Sequence, residues 1–293
     1  MKRRIILAQI NYDAADTGRH IERIKGIIAE HRSSDLIVFP ELILHGHASV
    51  EKPEGFLFRR TEGGSEQHLS AEIAQFVKDL DARVLLGQIQ RKGDMFYNLS
   101  TYMDFATVQS YAKTHVHWTE RYIPGRELKV ISTPAGRLGL TICFDAAFPE
   151  IARVLALRGA EIIVNIAAVP RTFAVKYMWR RLAATALDNQ VYVVYVNRPG
   201  PYFAGHSAVF DPRGDLLAQA GEGEEILQQE IDFDEIARWR EEEMIYRHRR
   251  PLLYREIGRE TSKRARVSTL PRPRRRTVVE QAEPLPRREE SHG

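Results

Sequence analysis

The chain contains a single cysteine, and the segment around it is suited to a thiol nucleophile. Cys143 ends the apolar run at residues 138–142 and precedes residues 144–150, where Pro149 fits the first turn of a helix. A thiol between a strand end and a helix start meets oriented N–H groups, which lower its pKa and stabilise an oxyanion. A buried, inert cysteine explains the same residue equally well at this point.

Three further charged residues could complete such a site, and two of them follow the ends of strand-like segments. Glu41 follows the apolar run at residues 36–39, Lys113 follows residues 108–112, and Glu120 comes seven positions after Lys113. A carboxylate at the end of a buried run must be paired, hydrogen-bonded or functional. Taken one at a time, these residues are more often structural ion pairs or solvated surface charges.

The segments that must position these side chains alternate between strand-like and helix-like patterns. Apolar residues at helical spacing predict helices, and apolar runs or period-two alternation predict strands. The predicted helices are residues 19–32, 69–80, 149–159, 177–189 and 233–244, and the main predicted strands are residues 4–12, 35–39, 83–89, 98–105, 108–113, 161–166 and 191–196. Strands mixed with helices and hairpins predict a layered α/β fold with a mixed sheet.

The composition excludes several classes of protein. With 43% hydrophobic and 28% charged residues, the chain is neither collagen-like nor a disulfide scaffold nor wholly disordered. One cysteine excludes an intrachain disulfide and indicates a reducing compartment. No apolar run approaches the roughly 18 residues that span a bilayer, and the N-terminus is predicted to be a strand rather than a signal peptide. We therefore expect a cytoplasmic protein.

The net charge of +4 is concentrated at the C-terminus. Residues 258–293 contain ten lysines and arginines against five glutamates, so the rest of the chain is slightly acidic. This segment has four prolines and no aromatic residue, which predicts a flexible tail after a single domain at residues 1–257. Its arginine-rich run at residues 272–276 could also contact nucleic acid or an acidic partner.

The candidate residues lie in an order that resembles one known family. Pro40-Glu41, then Lys113 with Glu120, then Cys143-Phe144-Asp145 before Phe148-Pro149-Glu150, resemble the nitrilase superfamily of carbon–nitrogen hydrolases. The resemblance covers about residues 3–257, with 249–254 in the place of the family's C-terminal strand. It implies a four-layer αββα sandwich of mixed sheets flanked by helices, no cofactor, and assembly into a homodimer or a larger homo-oligomer.

The resemblance also implies a role for each site residue. Cys143 is the expected nucleophile, Glu41 the general base, Lys113 the cation that stabilises the oxyanion, and Glu120 the second glutamate, which orients the site. The expected substrate-binding residues are Phe144, Asn165, Ala167, Ala168, His115 and Trp118. Segment 165–170 is expected to line the pocket, and the histidines are expected near its mouth.

Departures from family patterns narrow the expected substrate. Phe144-Asp145 replaces the Trp-Glu usual in true nitrilases, which disfavours nitriles. Ala147 stands where ω-amidases usually have an arginine, which disfavours monoamides of dicarboxylic acids. The small apolar residues of segment 165–170 favour an uncharged acyl group. A carboxamide amidase that releases ammonia through a thioester is therefore the first prediction, and an N-carbamoyl-amine hydrolase is the second.

Two alternatives come from other functional classes. His45 with His47, and His115 with His117, form two His-x-His pairs whose spacing suits metal ligands on a strand. No obvious set of aspartates completes such a site, so no metal is expected. The second alternative is a nucleic-acid-binding protein that acts through the basic tail.

Overall fold

The computed structural model describes residues 1–47 and 65–259. The chain divides into two compact units, Met1–Met244 and Ile245–Gly293, and the second is described only as far as residue 259. Apart from its first two residues, the predicted tail at 258–293 therefore lies outside the described residues. The domain boundary at residue 257 stays a prediction.

Within the described part of the first unit, twelve strands form two six-stranded sheets. The first sheet has the order β12-β1-β2-β3-β4-β5, and the second has the order β11-β10-β9-β8-β7-β6. The strands of the first sheet are β1 Lys2–Gln9, β2 Leu36–Val38, β3 Val84–Lys92, β4 Met95–Met103, β5 Val108–Ala112 and β12 Glu225–Asp232. Those of the second are β6 Val130–Thr133, β7 Gly136–Ile142, β8 Ile162–Ala167, β9 Tyr192–Asn197, β10 Ala208–Phe210 and β11 Leu216–Gln219.

Helices cover the outer face of each sheet. These outer helices are α1 Thr17–Glu30, α2 Ser65–Asp79, α3 Pro149–Leu157 and α4 Val175–Asn189. A fifth helix, α5 Phe233–Glu242, packs with Phe233 and Ile236 against the cluster between the sheets. One apolar cluster joins the first sheet to α1 and α2, a second joins the second sheet to α3 and α4, and a third fills the space between the two sheets. This arrangement confirms the predicted α/β class and the four-layer αββα sandwich.

The strand sequences explain why both faces of each sheet are covered. In β1, Ile5 and Leu7 pack between the sheets, while Ile6 and Ala8 pack against the helices. Because successive side chains of a strand point to opposite faces, such continuous apolar runs require apolar partners on both sides. A central strand of this kind is stable only inside a layered fold.

Strand direction brings two of the candidate residues to one edge of the first sheet. β2 runs parallel to β3, β4 runs antiparallel to β3, and β5 runs antiparallel to β4. The carboxyl ends of β2 and β5 therefore lie at the same edge, where Glu41 and Lys113 follow. In the second sheet, Cys143 follows the carboxyl end of β7.

Two local predictions were wrong. The strand expected at residues 249–254 is instead a 3₁₀ helix, Pro251–Gly258, in the second unit. Proline lacks an N–H for a strand ladder and fits the first position of a helix, which Pro251 occupies. The strand expected at residues 98–105 is present, but its bounds were wrong, since it runs from Met95 to Met103. It ends there because the carboxylate of Asp104 accepts the N–H groups of Ala106 and Thr107 and closes a turn. The second unit also contains the short helix α6, Ile245–His248.

Candidate active site

Cys143 lies in a strained turn at the junction of β7 and a 3₁₀ turn, Cys143–Ala147, which leads into α3. Its φ of 45° is in the left-handed region, which costs a non-glycine residue on the order of 1–3 kcal/mol. The residue is half-buried and packs against the apolar clusters on both faces of the second sheet. The surrounding fold therefore holds the thiol in a conformation that a flexible loop would avoid.

Lys113 lies between the two glutamates. Its Nζ is 3.0 Å from Glu41 Oε1 and 2.9 Å from both carboxylate oxygens of Glu120. Lys113 and Glu41 are fully buried, and the side chain of Glu120 is only 6% exposed. The structure thus places one cation and two carboxylates in contact, away from bulk water.

The second oxygen of Glu41 is the one available for proton transfer. Asn98 Nδ2 donates to Glu41 Oε1 at 2.7 Å, and Lys113 Nζ donates to the same oxygen. Glu41 Oε2 is also buried, but within the described part of the chain it accepts no hydrogen bond. The side chain is therefore fixed through one oxygen while the other can accept a proton.

Asn98 is a site residue that was not predicted from the sequence. Its side chain holds Glu41, and its backbone carbonyl accepts the N–H of Lys113 at 2.9 Å. It lies in the middle of β4 and is fully buried. The signal in the sequence was a strongly polar residue inside a strand that is otherwise suited to the interior, which requires a polar partner.

Opposing effects set the charge of Lys113. Burial lowers the pKa of Lys113, but the neighbouring Glu41, Cys143 and Glu120 raise it, and the net pKa lies well above the usual 10.5. The ammonium is therefore retained at neutral pH. For Glu120, burial raises the pKa above the usual 4.5, Lys113 opposes this increase, and Glu41 adds to it. The single ammonium of Lys113 therefore does not fully offset the effect of burial and of the second carboxylate on the pKa of Glu120.

The thiol of Cys143 is affected by the same charges. Burial and the carboxylate of Glu41 raise its pKa, whereas the ammonium of Lys113 lowers it, and Glu120 raises it again. The backbone N–H of Ala168 donates to the sulfur and favours the thiolate. The net pKa is raised, contrary to the lowering expected from the position between a strand and a helix, because burial outweighs the other effects. The resting group is therefore a thiol, which needs a nearby base before it can attack.

A glycine on the adjacent strand permits this close packing. A Cβ at Gly87 of β3 would lie 2.3 Å from Leu42 N, 2.5 Å from Pro40 O and 2.6 Å from Glu41 Cα. Because these are backbone atoms, no side-chain rotation could relieve the clash. Gly87 therefore allows the Glu41 segment to lie directly on β3.

The other residues predicted for the substrate site are more dispersed. The ring of Phe144 packs edge-on against His117 and Trp118, and Trp118 is 76% exposed. Asn165 is buried and donates from Nδ2 to Thr141 Oγ1 at 3.0 Å. Ala167 is buried at the end of β8, next to Ala168. His115 packs against Phe148, and its backbone and ring both contact Asp145.

The two His-x-His pairs do not converge. His45 Nδ1 accepts the N–H of Ile89. His47 Nε2 is 3.9 Å from Glu120 Oε1, and His117 Nδ1 is 2.7 Å from Thr119 Oγ1. Within residues 1–47 and 65–259, no three His, Cys, Asp or Glu side chains are grouped to hold a metal ion. Burial and the nearby Lys113 lower the pKa of His117 below 6.5, so its ring is neutral at neutral pH.

An αββα sandwich with a thiol, a lysine and a glutamate after strand ends, and a second glutamate in the loop beyond the lysine, matches the expected nitrilase-type hydrolase. The family model described as carbon-nitrogen hydrolase matches residues 4–241, and the chain belongs to this family. The resemblance inferred from Glu41, Lys113 and Cys143 to the nitrilase superfamily is thereby confirmed.

Several curated relatives are amidases. An omega-amidase from Saccharomyces cerevisiae is 29% identical over 287 residues, which cover 88% of this chain and 96% of that protein. A deaminated glutathione amidase from Homo sapiens is 30% identical over 239 residues, covering 70% and 73% of the two chains. An (R)-stereoselective amidase from a Pseudomonas species is 31% identical over 265 residues, covering 85% and 92%.

Solved structures support the same fold. Nit3 from Saccharomyces cerevisiae, described as a member of branch 10 of the nitrilase superfamily, superposes with a TM-score of 0.69 at 26% identity, covering 83% of this chain and 94% of that one. A carbon-nitrogen hydrolase from Helicobacter pylori superposes with a TM-score of 0.80 at 22% identity, covering 88% and 99%. The chain is therefore a carbon–nitrogen hydrolase of the amidase-related type.

Proposed function

We propose that this protein is a thiol-dependent amidase that hydrolyses a carboxamide through a thioester on Cys143. One observation carries the proposal: Glu41 and Lys113 are in contact and both act electrostatically on Cys143, while Glu41 Oε2 accepts no hydrogen bond from the described residues. A base, a nucleophile and a cation for the oxyanion are thus grouped in one buried site.

The first half-reaction consumes the amide. Glu41 Oε2 takes the thiol proton as Cys143 Sγ attacks the carbonyl carbon, so the C–S bond forms while the carbonyl π electrons move to oxygen. The tetrahedral intermediate then collapses, the C–N bond breaks, and the proton on Glu41 passes to the departing amine. With a primary carboxamide, ammonia leaves and an acyl thioester remains.

The second half-reaction restores the thiol. Glu41 accepts a proton from water as the water oxygen attacks the thioester carbonyl. Collapse of this second intermediate breaks the C–S bond, releases the carboxylic acid and returns the proton to Cys143 sulfur. Glu41 acts as base and then as acid in both halves, which explains why one carboxylate serves the whole cycle.

The oxyanion of each intermediate is met by Lys113 and by the backbone N–H of Phe144. All three N–H groups of the ammonium already face carboxylate oxygens, one at Glu41 and two at Glu120. The lysine can give up one bond to Glu120 and keep the other, so it can turn towards the oxyanion without losing its position. Such stabilisation is typically worth about 3–4 kcal/mol per donor.

The proposed substrate is a small carboxamide with an uncharged acyl group. Support comes from the small residues Ala167 and Ala168 beside the thiol and from the neutral ring of His117. The relatives named as amidases support the same reaction class. Ala147, in place of the arginine usual in ω-amidases, disfavours an acidic acyl group.

A homo-oligomeric assembly and a cytoplasmic location are part of the proposal. Leu157 of α3 and Leu187 of α4 are 47% and 40% exposed on the outer helix layer, which supports packing against a second copy. In the described parts of the chain, no helix is both long and apolar enough to cross a membrane. Sedimentation of the purified protein tests the assembly.

Ammonia release from a panel of carboxamides and N-carbamoyl amines tests the function. We expect release from short uncharged carboxamides and none in Cys143→Ala. Release from carbamoyl compounds alone would replace the amidase proposal with the N-carbamoyl hydrolase. Equal release by both proteins would exclude Cys143 as the nucleophile.

A further inference from the structure

The buried carboxylate of Asp145 connects the two catalytic segments across the two sheets. Its Oδ2 accepts the hydroxyl of Tyr111 at 2.8 Å and the N–H of Ile142 at 2.9 Å. Its Oδ1 accepts the N–H of His115 at 2.9 Å and the hydroxyl of Thr114 at 3.1 Å. Asp145 is 1% exposed, so these bonds are made out of contact with bulk water.

The partners of Asp145 flank the catalytic residues on both sides. Tyr111, Thr114 and His115 surround Lys113 at the carboxyl end of β5 in the first sheet. Ile142 is the last residue of β7 in the second sheet and directly precedes Cys143. One carboxylate therefore joins the lysine segment to the cysteine turn, although the two belong to different sheets.

We propose that Asp145 is a positioning residue that sets the distance between the ammonium of Lys113 and the thiol of Cys143. This inference rests on the proposed function, because it assigns a cause to the alignment that the reaction needs. An error of about 1 Å in such an alignment can reduce a rate by about 10²-fold. Asp145 contacts neither of the reacting groups and acts only through the segments it joins.

A change of one atom in Asp145 is sufficient to break the connection. In Asp145→Asn, an amide nitrogen replaces one carboxylate oxygen, and both oxygens currently accept a backbone N–H. Whichever way the amide turns, its NH₂ group faces the N–H of either Ile142 or His115, donor against donor. The variant keeps the size of the side chain but cannot hold both segments.

The neighbouring hydroxyl strengthens the case for a fixed connection. Burial raises the pKa of Tyr111 well above its usual 10, and the charge of Asp145 raises it further. The hydroxyl therefore stays protonated and continues to donate throughout the working pH range. A second buried donor on the same oxygen makes displacement of Asp145 costly.

The experiment compares Asp145→Asn with the control Asp104→Asn. Asp104 also accepts one tyrosine hydroxyl and two backbone N–H groups, but it lies in the β4–β5 turn at the opposite end of β5 from Lys113. We expect kcat for butyramide to fall about 10²-fold in Asp145→Asn with KM little changed, and to stay near the wild-type value in Asp104→Asn. Unchanged kcat in Asp145→Asn would overturn the proposal.

A second readout is independent of the substrate. Cys143 is the only thiol, so its alkylation by iodoacetamide can be followed against pH by intact mass. The titratable groups that act on it are Lys113, Glu41 and Glu120, and Tyr195 lies nearby on β9. A longer distance to Lys113 moves the alkylation profile of Asp145→Asn to higher pH. Loss of the Asp145 charge without displacement would move it to lower pH, which would overturn the proposal.

Two further variants cover the case in which Asp145→Asn does not fold. Tyr111→Phe and Thr114→Val each remove one donor to Asp145 and keep the bulk of the side chain, and both should lower kcat and move the alkylation profile to higher pH. If neither variant changes kcat or the alkylation profile, the proposal is overturned. Activity retained by Cys143→Ala would instead refute the proposed function, whereas the alkylation profiles report the role of Asp145 separately.

Discussion

Replacing Glu41 with glutamine separates its two effects on Cys143. The amide oxygen of Glu41→Gln can keep the bonds from Asn98 at 2.7 Å and Lys113 at 3.0 Å, while the amide nitrogen takes the place of Oε2. Since that position has no hydrogen-bond partner in the described chain, the new NH₂ group replaces no existing hydrogen bond. Lys113 keeps its two bonds to Glu120, so the site should remain assembled.

The two effects of Glu41→Gln should have opposite signs. General acid–base catalysis contributes about 10²–10⁴-fold, so we expect kcat/KM to fall about 10³-fold, equivalent to about 4 kcal/mol of transition-state stabilisation. The carboxylate of Glu41 also raises the pKa of the Cys143 thiol, after burial. Its removal therefore lowers that pKa, and alkylation by iodoacetamide at a fixed pH should become faster while amide hydrolysis becomes slower.

Ammonia release and alkylation by iodoacetamide, measured on the same preparations, test this prediction. The control is Glu241→Gln, an exposed glutamate of α5, which should leave both rates unchanged. Amide hydrolysis within tenfold of the wild-type rate would refute Glu41 as the base. Slower alkylation would refute the electrostatic reasoning, because a distorted site rather than a missing charge would then explain the lost activity.

Three further substitutions and one control test how the site is held. Lys113→Met leaves two buried carboxylates without their cation, so urea denaturation should show that the free energy of unfolding falls by about 3–5 kcal/mol. Because the pKa of Lys113 in the folded protein lies above 10.5, its stabilisation is complete below pH 10.5 and is lost as the pH rises through the folded pKa. The variant should lack this alkaline decline in stability. Gly87→Ala should cost about 1–3 kcal/mol and most of the activity, whereas Gly26→Ala, in an open helix position, should gain up to about 1 kcal/mol on thermal denaturation. Asn98→Ala removes a bond to a buried charge worth about 1.5–3 kcal/mol, and steady-state kinetics should show a fall in kcat of about 10–100-fold.

The layered fold and three of the site residues could be predicted from the sequence. Apolar periodicity predicted the layered fold, because strands such as β1 need apolar partners on both faces. Glu41, Lys113 and Cys143 stood out because charged or nucleophilic residues end apolar runs. The structure brings them together, which spacing along the chain could not show.

The missed features depend on contacts between distant segments. Asn98 resembled an ordinary polar position of a strand, and only the fold reveals that it holds Glu41, which lies 57 positions earlier. Asp145 is visible in the sequence only as part of the motif after Cys143, and its partners in and just after β5 are visible only in three dimensions. The prediction of a strand at residues 249–254 was wrong because it followed the resemblance to the family rather than the local preference of Pro251 for the start of a helix.

Direct detection of the acyl-enzyme is the measurement that tests the central claim most directly. Wild-type protein and Cys143→Ala are mixed with butyramide, quenched in acid within one turnover and analysed by intact mass and peptide mapping. We predict that one butyryl group is attached to Cys143 in the wild-type protein and that it is absent from the variant. Turnover without an adduct when deacylation is rate-limiting, or an adduct on another residue, would contradict the thioester mechanism.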